Sequence, residues 1–129
     1  MAPEFGGGAL VARILCVSED KQLLETRRMM LEGAGYEVIP ALGFAEGMKH
    51  CEDGSHFDLL VLGHSMPPFA ARVLVEAFRR ACNAPIVALQ SQDSDFVQGV
   101  DAMISVQPEE VMSAIAKLVC QKRGLSESA

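Results

Sequence analysis

The chain has 129 residues, enough for one domain of ordinary size with a core of its own. Half of its residues are hydrophobic and 22% are charged, which excludes a disordered or fibrous chain. Eleven Lys and Arg against 17 Asp and Glu leave a net charge of -6, so no electrostatic footprint for nucleic acid or an anionic membrane surface is expected.

Residues 1–11, with Pro3, Glu4, Phe5 and three consecutive glycines, read as a flexible leader or cloning remnant. Arg13 to Val17 is a continuous apolar run, the pattern of a strand covered on both faces. Ser18 or Asp20 can cap the helix that follows, whose Leu23, Leu24, Met30, Leu31 and Ala34 share one face and whose stop signal is Gly33 and Gly35. Tyr36 to Ile39 is the second strand. Phe44, Gly47, Met48 and Cys51 then follow at helical spacing before the turn residues Asp53, Gly54 and Ser55.

Phe57 to Leu62 is the third strand, and Pro67-Pro68 after it is expected to form a rigid loop that continues neither strand nor helix. Val73, Leu74, Ala77, Phe78 and Ala81 form a third apolar stripe, and Pro85 to Leu89 the fourth strand. The interval before the next apolar run, Ala102 to Val106, leaves room for one or two helical turns around Asp95 to Gln98, so the fourth helix is short. Pro108, followed by Glu109 and Glu110 at the positive end of the dipole, opens a last helix with Val111, Ile115, Leu118 and Val119 inward. Alternating strands and helices predict an α/β, doubly wound (βα)5 three-layer sandwich around a parallel five-stranded sheet. One domain, 12–123, is expected, with a flexible tail over 124–129 and no output domain after Gly124.

Cys16, Cys51, Cys82 and Cys120 are scattered, without the paired spacing of zinc sites, and read as free thiols in a reducing, cytoplasmic setting. No segment approaches the roughly 20 apolar residues of a membrane span. His50, Cys51, His56 and His64 crowd one stretch, but Cys51 falls on a helix core face and His56 in a turn, so surface histidines are expected rather than a metal site. The basic pairs Arg27-Arg28 and Arg79-Arg80 read as solvated helix faces.

From Ala12 to about Lys122 the order of elements carries a resemblance. Ile14-Leu15-Cys16-Val17-Ser18-Glu19-Asp20, Gly33-Ala34-Gly35-Tyr36-Glu37-Val38, Phe57 to Leu62 with Met66-Pro67 beyond it, Pro85 to Leu89 and Gly99-Val100-Asp101-Ala102 are similar to the corresponding segments of response-regulator receiver domains, the CheY-like superfamily of bacterial two-component signalling. The resemblance implies a flavodoxin-like sheet of order 2-1-3-4-5 with its site at the carboxyl ends of the strands. It also implies where a phosphorylation pocket would lie, and there this sequence departs from the family. Gly63 stands at the position of the phosphate-accepting aspartate, and Ser18 and Glu19 at those of the two metal-binding acids. Gln90 or Ser91 takes the place of the hydroxyl residue, and Val106 or Gln107 that of the lysine.

With acceptor, acidic pair and lysine all changed, phosphoryl transfer loses its positioning and its charge neutralisation together. The expectation is a degenerate pseudo-receiver: no enzyme, no cofactor, and no Mg2+ at a pocket of Ser18, Glu19, Gly63, Ser65, Gln90 and Ser91. Its expected action is by contact with another signalling protein, a sensor kinase or output protein, through Arg27, Arg28 and Met29 or through Pro67 and Pro68. Neither nucleic acid nor membrane is an expected partner, and the chain is expected to be a monomer or weak homodimer. The alternative is a small-ligand-binding flavodoxin-like domain, in which the neutral hollow at Gly63 accepts a molecule. A flavin or dinucleotide is disfavoured there, because no glycine-rich phosphate loop follows the first strand.

Overall fold

A computed structural model describes residues 11–90 and 99–123. The expected leader up to residue 10, the expected short helix around 95–98, the tail from 124 and Ser91 lie outside the described residues. The elements run β1 (Arg13–Ser18), α1 (Lys21–Gly33), β2 (Glu37–Leu42), α2 (Gly43–Glu52), β3 (Leu59–Leu62), α3 (Pro68–Ala81), β4 (Ile86–Gln90), β5 (Ala102–Ser105) and α4 (Pro108–Arg123). The strands form one parallel sheet of order β2-β1-β3-β4-β5. That is the flavodoxin-like arrangement.

Side chains of the three central strands alternate between two apolar clusters, as the strand period of two requires. Leu15, Val17, Leu60, Leu62, Ile86 and Ala88 face Cys51 of α2 and Leu74, Val75 and Phe78 of α3. Ile14, Cys16, Leu59, Val61, Val87 and Leu89 face Leu24 and Leu31 of α1 and Val111, Ile115 and Val119 of α4. The sheet is therefore sandwiched between two helical layers. Cys16, Cys51 and Cys82 are buried free thiols and Cys120 is exposed. Burial pushes the Cys16 and Cys51 thiols up to about 11, so both stay protonated at neutral pH.

Several boundaries and one apolar stripe differ from the sequence reading, β3 among them, which starts at Leu59 rather than Phe57. β2 continues through Pro40 to Leu42. It is the edge strand, where a residue without an N–H does not interrupt a ladder on both sides. Pro68 does not exclude a helix; it opens α3 at the first helical position, where the missing N–H is not needed. Ala81 is exposed at the end of that helix, while Val75, absent from the expected stripe, is buried.

Two carboxylates staple loops to strand ends. Asp58 accepts the backbone N–H of Arg13 through Oδ2 at 2.9 Å. Asp101 Oδ2 accepts the N–H of Ile86 at 2.7 Å and a guanidinium N–H of Arg79 at 2.9 Å, so Arg79 is held rather than freely solvated. Asp101→Ala leaves the N–H of the fully buried Ile86 without its acceptor and should cost about 1–3 kcal/mol in urea unfolding. Arg79→Met, which breaks a half-exposed pair, should cost less than about 1 kcal/mol. Equal losses in the two variants would mean that the buried N–H is not what Asp101 secures.

Candidate functional site at the carboxyl ends of the strands

The register that pairs Val17 with Leu62 sets Ser18 and Gly63 side by side at the carboxyl edge of β1 and β3. Gly63 donates its N–H to the carbonyl of Val17 at 2.7 Å and is itself buried. Ser18, 1% exposed, accepts the N–H of Asp20 at 3.1 Å and lies within hydrogen-bond range of its carbonyl, 3.2 Å. That turn delivers Asp20 to the start of α1, where its Oδ1 caps the N–H of Leu23 at 3.0 Å.

Arg27 fills the centre of this site. Its side chain belongs to the inward face of α1 that also carries Leu24 and Leu31, and the residue is only 8% exposed. The expectation that it shares a solvated basic face with Arg28 is therefore corrected. Positions 24, 27 and 31 lie on one helical face, and helical side chains lean toward the helix N-terminus, which carries the guanidinium back over the strand ends. A β-carbon built on Gly63 would lie 3.1 Å from Nη1 of Arg27, 3.2 Å from Ser18 Oγ and 3.2 Å from the carbonyl oxygen of Val17. A side chain at position 63 would press on the cation, which would have to give by a few tenths of an ångström.

Among the described residues Nη1 is buried without a hydrogen-bond partner. Nη2 approaches His64 Nδ1 at 3.4 Å, a long contact that is a hydrogen bond only in the tautomer with Nδ1 bare. Burial lowers the Arg27 pKa, and the nearby Cys16 and Asp20 act in the opposite sense. A guanidinium has far to fall before it loses its proton, so the site carries a positive charge at neutral pH.

The remaining candidates are dispersed around this centre. Glu19, Ser65 and Gln90 are exposed. Arg28 lies on the outer side of α1, bonded to Glu32 at 2.8 Å and to Glu25. Met29 is 62% exposed, and Pro67 and Pro68 are exposed beside Phe69, which at 77% is the most exposed large apolar side chain among the described residues. Met66, buried against the core, pins the loop between Gly63 and α3. The histidines do not converge: His50 stands edge-on to Phe57, His56 is 3.6 Å from Asp58, and His64 sits at Arg27.

No family model matches the sequence. Solved structures do match its fold. The response regulator receiver domain protein (CheY-like) of Methanospirillum hungatei JF-1 superposes with a TM-score of 0.74 at 22% identity, over 88% of this chain and 97% of that one. The response regulator protein TrrA of Thermotoga maritima, solved in complex with Mg2+ and BeF, gives 0.71 at 24% identity, over 84% of this chain and 99% of its own. An adenylate cyclase from Rhodopirellula baltica gives 0.73 at 19% identity, over 92% and 93%. The chain thus has the CheY-like fold.

Substitutions at Gly63 separate space from charge. Gly63→Ala sets a methyl group against an unpaired guanidinium, whereas Gly63→Asp sets a carboxylate there. The aspartate variant should be the more stable of the two by about 1.5–3 kcal/mol, the range of a hydrogen bond to a charged group, in chemical unfolding without divalent cations. Equal stabilities would show that Arg27 does not occupy the space above Gly63.

Proposed function

We propose that the protein is a receiver-like signal-transduction module of the two-component type that works by protein–protein contact, independently of aspartyl phosphorylation. The observation that carries this reading is the pairing of Gly63 with Arg27: where the resemblance places a phosphate-accepting carboxylate, there is no carboxylate, and the space above the glycine holds a buried guanidinium. Magnesium does not fit this donor set. A small dication asks for several oxygen ligands in near-octahedral geometry, while here a fixed positive charge lies beside the buried Ser18 hydroxyl, and Glu19 is exposed.

The reading assigns the contact surface to α1 and the loop ahead of α3. Met29, on the outer side of α1, and Phe69, beside Pro67 and Pro68, expose apolar area that the fold itself does not use. With Arg27 turned inward, the surface of α1 is left to Arg28 and Met29. The fit to signalling proteins of several kinds, a receiver domain and a cyclase among them, supports a partner in signal transduction, a sensor kinase or an output protein.

Incubation with acetyl phosphate and Mg2+ should leave the mass of the protein unchanged; a stoichiometric acid-labile adduct would sink the reading. For the surface, Met29→Glu and Phe69→Glu should each unfold within about 0.5 kcal/mol of the parent, as exposed substitutions do. Each should weaken binding to the signalling partner tenfold or more, the loss of about 1.4 kcal/mol. Binding losses confined to exposed positions of α4, such as Lys117, would place the surface elsewhere.

A further inference from the structure

We infer that the buried guanidinium of Arg27, beside Gly63 at the carboxyl edge of β1 and β3, is the cationic centre of a binding site for a compact oxyanion. A guanidinium has five N–H donors arranged to match two oxygens of a carboxylate, phosphate or sulfate group. Here the residue is 8% exposed, and among the described residues Nη1 has no partner and Nη2 has the long contact with His64 alone. An enclosed charge without a direct partner is costly, and the cost is relieved when an anion arrives. Around the guanidinium stand neutral groups able to tolerate that anion: the Ser18 hydroxyl, the Cα of Gly63 and the imidazole of His64.

The site selects for small ligands. The 3.1–3.2 Å from a β-carbon on Gly63 to Arg27, Ser18 and the Val17 carbonyl show that the guanidinium side facing Gly63 is already closely packed, so the anion enters from the His64 side, and Met66 anchors the loop to the core. His64, half-buried and in marginal contact with Nη2, is the neighbour that yields when the anion enters. Asp20 sets the limit on charge. Its carboxylate is close enough to act on Arg27 but is committed to the helix cap, so it offsets the cation from a distance without occupying its donors. No covalent step and no metal is involved, and the inference stands apart from the signalling reading: an aspartyl-type adduct would overturn that reading, whereas the anion site fails only on binding.

The test is a titration with inorganic phosphate, sulfate and acetate at constant ionic strength held by chloride, followed by amide NMR and thermal unfolding. Saturable shifts at Gly63, His64 and Ser65 are expected, together with a melting temperature raised by about 4 °C at ten times the Kd. Response to phosphate and sulfate alone assigns the site to tetrahedral oxyanions; an equal response to acetate assigns it to the carboxylate class. Arg27→Met, which exchanges a buried charge without a direct partner for an apolar chain of similar length, should fold and lose the response. Gly63→Asp supplies the oxyanion from within and should lose it too, so the inference can be tested even if the first variant is unstable. Absence of saturable shifts in the parent, or the same shifts in Arg27→Met or Gly63→Asp, overturns it.

Discussion

The buried guanidinium of Arg27 and the missing side chain of Gly63 are one constraint. Nη1 lies where a β-carbon on residue 63 would be crowded to 3.1 Å, so the identities of positions 27 and 63 are coupled. The coupling extends to the start of α1. Ser18 turns its hydroxyl to the backbone of Asp20, Asp20 caps the helix, and Arg27, two turns further along, leans back over the end of β1. The turn, the cap and the cation are placed by one another.

This constraint reverses the electrostatics that the resemblance alone would suggest. A pocket built from clustered carboxylates repels itself until a metal arrives, because like charges within a few ångströms oppose one another's ionisation. A pocket built on one enclosed cation has the opposite appetite: dications are repelled and anions are drawn. The fold tolerates the charge because the two apolar clusters on either side of the sheet supply its stability without help from the site. Cys16 below the guanidinium adds no negative charge of its own at neutral pH, since burial keeps its thiol protonated.

The strands and their buried character were legible because continuous apolar runs have few other uses in a chain of this length. The sheet order came from the resemblance, and the register follows from which residues must face each helical layer. The ends were less legible. Pro40 and Pro68 look like interruptions until one knows that β2 is an edge strand and that α3 starts at Pro68. The burial of Arg27 was not legible for a different reason. A hydrophobic-periodicity reading scores arginine as polar and assigns it to water, although Leu24, Arg27 and Leu31 recur at i, i+3 and i+7. A charge inside an apolar stripe, together with a glycine where a functional side chain belongs, was the signal available in the sequence. Phe69 carried no such signal, since an aromatic at the second position of a helix is as often covered as exposed.

The geometry also bears on how such a site could speak to a surface. Arg27 and Met29 are two residues apart on α1, about 200° around a helix of 3.6 residues per turn, so one faces the pocket while the other faces solvent. Whatever changes the contacts of the guanidinium therefore acts on the same helix that presents Met29, across the width of a single element. The loop from Gly63 to Met66 is the second direct neighbour, and it leads straight into the first turn of α3 with Phe69. α4, by contrast, meets the α1 face through the apolar cluster of Val111, Ile115 and Val119, which is packed too closely to pass on a small displacement without a second stable arrangement. Proximity thus favours α1 and the start of α3 as the elements through which occupancy of the pocket would be felt.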